Sequence, residues 1–179
     1  MLSKRVQVLG ESLTIEISTK AKEMKARGED VISFGAGEPD FDTPEIIKNE
    51  VKSALDKGCG KYTAVAGTPE VREAVAAKLK RDNGLDYAPN QIITNVGAKH
   101  SLFNVFQALI DHDDEVIVPS PYWVSYPEIV KFSGGKPVFI ETSEKTGFKI
   151  TPEQLKAAIT PRTKILVLNS PCNPTGAIY

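Results

Sequence analysis

The sequence predicts an α/β fold, a mostly parallel sheet with helices on both faces, and three observations carry that expectation. In the second half of the chain, short apolar runs alternate with longer amphipathic segments, the βαβ rhythm of a parallel sheet. The runs, such as Ile165-Leu166-Val167-Leu168, are apolar without alternation, as strands covered on two sides are. Finally, Gly97-Ala98-Lys99, Ser120-Pro121-Tyr122-Trp123 and the polar stretch from Asn169 to Gly176 each fall just past the carboxyl end of such a run, where open α/β sheets bind ligands.

The elements follow in order. Leu13, Ile17, Ala21 and Met24 recur at helical spacing within 11–27, with Gly28 as the stop. Val31-Ile32-Ser33-Phe34 reads as a strand, and Gly35-Ala36-Gly37-Glu38-Pro39-Asp40 breaks it with glycines that let backbone approach a ligand. Gly37 is a candidate contact, with a plain turn as the alternative. Thr43-Pro44 opens a helix with a cap and a proline at the first position; Ile47, Val51 and Leu55 form its buried stripe and Gly58 ends it. The Gly-Lys loop that follows is not a nucleotide-binding P-loop, because the first glycine of that motif would fall on Leu55. Thr68-Pro69-Glu70 caps a third helix, whose Val71, Val75 and Leu79 repeat until Asn83-Gly84 terminates it. Strands at 91–96, 115–118, 136–140 and 164–168 then enclose helices at 97–110, 122–132 and 152–159. The first of these helices buries Leu102, Val105, Phe106 and Leu109, and the last starts with the capping box Thr151-Pro152-Glu153-Gln154.

Bulk properties exclude several classes. A chain 41% hydrophobic and 25% charged can bury a core and is not disordered in composition. A net charge of −1 provides no basic field for nucleic acid, and no apolar run is long enough to span a membrane. Two cysteines, Cys59 and Cys172, with no metal-ligand spacing, support neither a disulfide framework nor a structural metal, and a soluble cytoplasmic protein is expected.

The chemistry concentrates in the three strand-end segments. At Gly97-Ala98-Lys99 the free N–H groups of a helix start, beside small residues, form an anion site suited to a phosphate, with Lys99 adding charge. Trp123, the single tryptophan, offers a flat π surface or an ordinary core residue. Two prolines and a glycine keep 169–176 out of helix and ladder, so Asn169 and Asn173 sit on a bend where the Asn173 carboxamide can address a cofactor; asparagine as a simple turn former is the alternative. Cys172 has no neighbouring His in sequence and reads as a spectator thiol.

Together the motifs Gly35-Ala36-Gly37-Glu38-Pro39-Asp40-Phe41, Lys61-Tyr62 with Gly67 and Arg72-Glu73-Ala74, Val96-Gly97-Ala98-Lys99, the run from Ser120 to Tyr126, and Asn169-Ser170-Pro171-Cys172-Asn173-Pro174-Thr175-Gly176 resemble class I (fold type I) pyridoxal-phosphate-dependent aminotransferases, most nearly bacterial aspartate aminotransferases. The resemblance covers nearly the whole chain. It implies an arm and the start of a small domain at 1–42 and the N-terminal half of a large cofactor-binding domain at 43–179. It also implies that Gly97, Ala98 and Lys99 surround the phosphate of pyridoxal 5'-phosphate, that Trp123 stacks on its pyridine ring, that Asn173 bonds its phenolic oxygen, and that Tyr62 reaches the phosphate of a neighbouring subunit in a homodimer. Gly37, Trp123 and Asn173 would meet an amino-acid or 2-oxo acid substrate at its α-carboxylate, and Lys99 would point toward a distal carboxylate.

No segment of the chain matches the family's Ser-x-Ser-Lys motif for the Schiff-base lysine, its Asp-Glu-x-Tyr motif, or its C-terminal carboxylate-binding arginine. None of its residues is therefore assigned as catalytic, and the chain alone is expected to be inactive and prone to association. The implied reaction moves the amino group of aspartate or a similar amino acid to a 2-oxo acid. Aromatic, alanine-type or prephenate amino acids remain alternative substrates, and a non-catalytic phosphate-binding or interaction module is the alternative of another class.

Overall fold

A computed structural model describes residues 1–10, 13–35 and 37–179, so the expected helix start at Glu11 and Ala36 of the glycine motif lie outside the described residues. The chain divides into two compact units, one of Leu13–Asn95 and one combining Met1–Ser12 with Val96–Tyr179.

The Leu13–Asn95 unit holds three helices, α2 (Leu13–Ala26), α3 (Glu45–Asp56) and α4 (Pro69–Asn83); α1 (Lys4–Gln7) belongs to the other unit. Helix α4 has both of its expected ends. The Thr68 hydroxyl accepts from the Val71 N–H at 3.4 Å, Pro69 occupies the first turn, and Gly84 closes the helix at φ 66°. Helix α3 starts one residue later than expected, because Pro44 stands at ψ 140°, outside helical geometry, and no side chain caps it. Its stripe is not buried either: Ile47, Val51 and Leu55 are 51%, 54% and 65% exposed, so nothing among the described residues covers that face. Residues 31–34 and 91–96 do not form strands. Ile92 is extended, at φ −114° and ψ 132°, but a strand requires a ladder partner, and the main-chain bond at this point runs from the Thr94 N–H to the Ala66 carbonyl at 3.0 Å.

In the other unit, three parallel strands, β1 (Glu115–Ser120), β2 (Lys136–Glu141) and β3 (Thr163–Leu166), lie in the order β2-β1-β3. They alternate with α5 (Gly97–Leu109), α6 (Ser125–Phe132) and α7 (Pro152–Ala158). Central placement explains the unbroken apolar run of β1: Val116, Ile117 and Val118 are fully buried. Val116 and Val118 share a face with Phe106 of α5 and Tyr126, Ile129 and Val130 of α6, which form the core. Ile117 points to the opposite face, as alternation requires. The expected stripe of α5 divides: Phe106 is 2% exposed, but Val105 and Leu109 are 46% and 53% exposed, because only one row of the helix meets β1 and α6. Helix α7 carries the expected capping box, with Gln154 N–H to the Thr151 hydroxyl at 3.2 Å and the reciprocal bond at 2.9 Å.

At the amino ends of the strands the buried Glu115 carboxylate accepts from the Thr160 hydroxyl at 2.6 Å and from two Arg162 nitrogens at 3.0 and 2.8 Å. These bonds, that of Thr160 first, hold its carboxyl below the ordinary value against the opposing effect of burial. A group depressed in this way stabilises the fold above its unfolded pKa, and the contribution is lost as pH falls through the folded one. The melting-temperature gap between the chain and its Glu115→Gln variant should be widest at neutral pH and should shrink as pH falls below the ordinary carboxylate range. A gap independent of pH would show that the carboxylate's charge contributes nothing there.

Candidate functional site at the carboxyl ends of the strands

The carboxyl end of β1 runs directly into Pro121, Tyr122 and Trp123, and Thr142, just past β2, fixes that end by donating from its hydroxyl to the Ser120 carbonyl at 2.5 Å. Trp123 is partly buried on the core, with the Tyr126 ring edge-on to it at 5.4 Å between centroids. The Lys99 ammonium, from the first turn of α5, lies over the indole at 4.9 Å from the centroid, a cation–π contact. Burial raises the Tyr126 hydroxyl above its usual pKa, with Cys172 adding to the shift, so the phenol is a neutral wall beneath Trp123.

Beyond β3 the chain bends through 169–176. Asn169 uses its side-chain oxygen to accept the Asn173 N–H at 2.8 Å, and the Cys172 carbonyl accepts the Gly176 N–H at 2.7 Å, where Gly176 stands at φ 74°. Those bonds fix the backbone and leave the Asn173 side chain exposed. The Cys172 thiol faces the Pro121 carbonyl at 3.5 Å, which closes the loop against the end of β1. A cleft between them is lined by Val118, Tyr122, Tyr126, Asn169, Cys172 and Asn173 among others. Helix α5 begins at Gly97 with φ 75°, and nothing lies within 4 Å of the position a Cβ would take. The first N–H groups of a helix have no intrahelical acceptor, so this open approach fits a phosphate.

The structure thus brings Gly97, Ala98, Lys99, Trp123 and Asn173 to the carboxyl side of one sheet, in one unit. Tyr62 and Gly37 lie in the Leu13–Asn95 unit, both exposed to solvent. Sequence reasoning placed Asn169 on the bend without assigning it to the site, yet its clasp on Asn173 fixes the loop. An asparagine four residues ahead of Asn173, just past a strand, was the available signal.

The family model described as "Aminotransferase class I and II" matches residues 29–179. The aspartate aminotransferase of Geobacillus stearothermophilus is 57% identical over 178 residues, which are 99% of this chain and 45% of that protein. The aspartate/prephenate aminotransferase of Thermus thermophilus is 54% identical over 99% of this chain and 46% of its own length. Among solved structures, aspartate aminotransferase from Thermus thermophilus with maleate superposes with a TM-score of 0.96 at 54% identity, covering all of this chain and 47% of that one. An alanine aminotransferase from Pyrococcus furiosus superposes with a TM-score of 0.94 at 35% identity, over 46% of its length. The chain spans just under half the length of these relatives.

Proposed function

Since the chain belongs to the class I and II aminotransferase family, we propose that it forms the phosphate-, ring- and substrate-contacting half of a pyridoxal-phosphate site that moves the amino group of aspartate, or a similar amino acid, to a 2-oxo acid. The observation that supports this most directly is the convergence of Lys99, Trp123 and the open start of α5 on the side of the sheet to which Asn173 also projects.

When bound, the cofactor supplies an electron sink for the amino-acid α-carbon. The chain's own residues bind and orient. The N–H groups of Gly97, Ala98 and Lys99 hold the phosphate dianion at the positive end of α5. Trp123 would hold the pyridine ring against its indole face and shield it from water. The Asn173 carboxamide would donate to the phenolic oxygen and favour its ionised form, from a backbone that Asn169 holds through the Asn173 N–H. Gly37 and Asn173 receive the substrate's α-carboxylate. Tyr62 reaches the phosphate of a second copy, so the working assembly is a homodimer. The division at 42/43 into arm with small-domain start and half of the cofactor domain belongs to the same proposal. Two unpaired cysteines suit a cytoplasmic setting, and among the described residues no helix is long and apolar enough to cross a membrane.

Lys99 is the residue that favours an acidic substrate over an alanine-type or aromatic one, because its ammonium stands beside Trp123 and can turn toward a distal carboxylate. The test joins this chain to the C-terminal remainder of the Geobacillus relative. The fusion should bind pyridoxal phosphate and transfer the amino group of aspartate to a 2-oxo acid. Lys99→Met should lower kcat/KM for aspartate about tenfold while changing that for alanine by less than about threefold, as loss of one partly solvated charge contact predicts. A folded fusion that binds no pyridoxal phosphate would overturn the functional reading; equal losses on both substrates would overturn the role of Lys99 alone.

A further inference from the structure

We infer that His100 is a positioning residue for the phosphate site: its imidazole binds the N–H of Val96 and so leaves the next three N–H groups of α5, those of Gly97, Ala98 and Lys99, facing the anion. The inference rests on the phosphate reading above and adds to it a residue that makes no contact with the cofactor.

The cap residue of α5 is Val96, whose side chain has no hydrogen-bonding group, and it stands at φ −78° and ψ 78°, away from the extended geometry of an ordinary cap. Its N–H points to His100 Nδ1 at 3.3 Å, one turn further along the helix. The bond does what the reciprocal half of a capping box does, returning a side-chain acceptor to the cap residue's N–H, but from the fourth helical residue instead of the third. Acceptance through Nδ1 requires the neutral ring with its proton on Nε2. The bond is exposed to solvent, and the ring borders an open hollow that it shares with Val96, Lys99, Phe103 and Ile129. The consequence is directional. Without His100 the Val96 N–H loses this bond, and the turn that presents the Gly97 N–H loses the side chain that steadies it. Gly97 itself, at φ 75°, belongs to the conformations that glycine enters and leaves most readily. A phosphate would then have to order the turn as it binds, and its affinity would fall by that cost.

The experiment measures binding of pyridoxal 5'-phosphate, pyridoxal and inorganic phosphate to the chain joined to the C-terminal remainder of the Geobacillus relative, for His100, His100→Leu and His100→Gln. Leucine removes the acceptor; glutamine returns one that does not titrate. The Leu variant should bind pyridoxal 5'-phosphate about fivefold more weakly, the size of one lost cap bond, with inorganic phosphate weakened by the same factor and pyridoxal unchanged. The Gln variant should recover most of that loss. A Leu variant that keeps the original ratio of pyridoxal 5'-phosphate to pyridoxal affinity overturns the inference, and so does a Gln variant no better than Leu. If the unaltered protein fails to prefer pyridoxal 5'-phosphate to pyridoxal, the phosphate site itself is refuted, which separates that failure from a failure of His100.

Discussion

Replacing Asn173 by alanine in the completed enzyme is expected to lower kcat/KM about 10- to 100-fold, the value of one hydrogen bond to a charged group formed where reaction depends on it. The variant is informative because the loop does not depend on the side chain being removed. The Asn173 N–H is held by Asn169, the neighbouring turn by the Cys172 carbonyl, and the end of the loop by Ser170, which accepts the Tyr179 N–H at 3.1 Å. Alanine keeps all three. The loss should therefore appear with an upward shift in the pH at which the bound cofactor's absorbance changes, since a donor to an ionised oxygen favours that ionised form. Asn169→Ala should give a smaller loss of the same kind, by letting the carboxamide wander, and Asn169→Asp should restore activity because it keeps the acceptor. A catalytic change within about twofold and an unmoved absorbance transition for Asn173→Ala would remove this residue from the site.

Gly67→Ala is expected to destabilise the Leu13–Asn95 unit by about 2–4 kcal/mol. Two costs add. Gly67 stands at φ 98°, where an L-residue is strained, and a Cβ there would lie 2.2 Å from the Thr94 hydroxyl oxygen. Thr94 cannot turn away freely, since that hydroxyl donates to the Ala66 carbonyl at 3.3 Å. Thr94→Ala in the same chain should relieve the overlap and leave the backbone strain, so the double variant should regain roughly half of the loss. Urea unfolding read by amide exchange within residues 60–95 separates this unit from the other. A Gly67→Ala chain within about 0.5 kcal/mol of the original would show that this turn is not held as described.

What the sequence made legible was local. The caps at Thr68, Gly84 and Thr151 were readable because each is settled within one turn of helix. The segments after β1 and β3 were readable because a strand's end and the breaker that follows it are adjacent in sequence, whereas Gly97-Ala98-Lys99, expected past a strand at 91–96, follows none. Readings that required a distant partner did less well. The apolar stripe of α3 has the periodicity of a buried face, yet periodicity says only that a face wants cover, and Ile47, Val51 and Leu55 have none among the described residues. Residues 91–96 have strand composition but no ladder, and Val105 and Leu109 share the apolar spacing of Phe106 without its neighbours. The clasp of Asn169 and the bond of His100 to Val96 were hidden for another reason: both are single side-chain bonds to backbone, made by residues whose types have several ordinary uses.

The strand order has a consequence for how the chain is made. The central strand β1 leaves the ribosome before either neighbour: β2 follows α6, and β3 appears only after α7. Until β3 is made, the Val116-Ile117-Val118 run can pair on its β2 side alone, so a nascent chain carries one open strand edge until translation passes Leu166. Ribosome-bound chains stalled just short of Thr163 should be cut more readily by protease within β1 than chains stalled well beyond Leu166; equal resistance would mean that α5, α6 and β2 shelter the strand without β3.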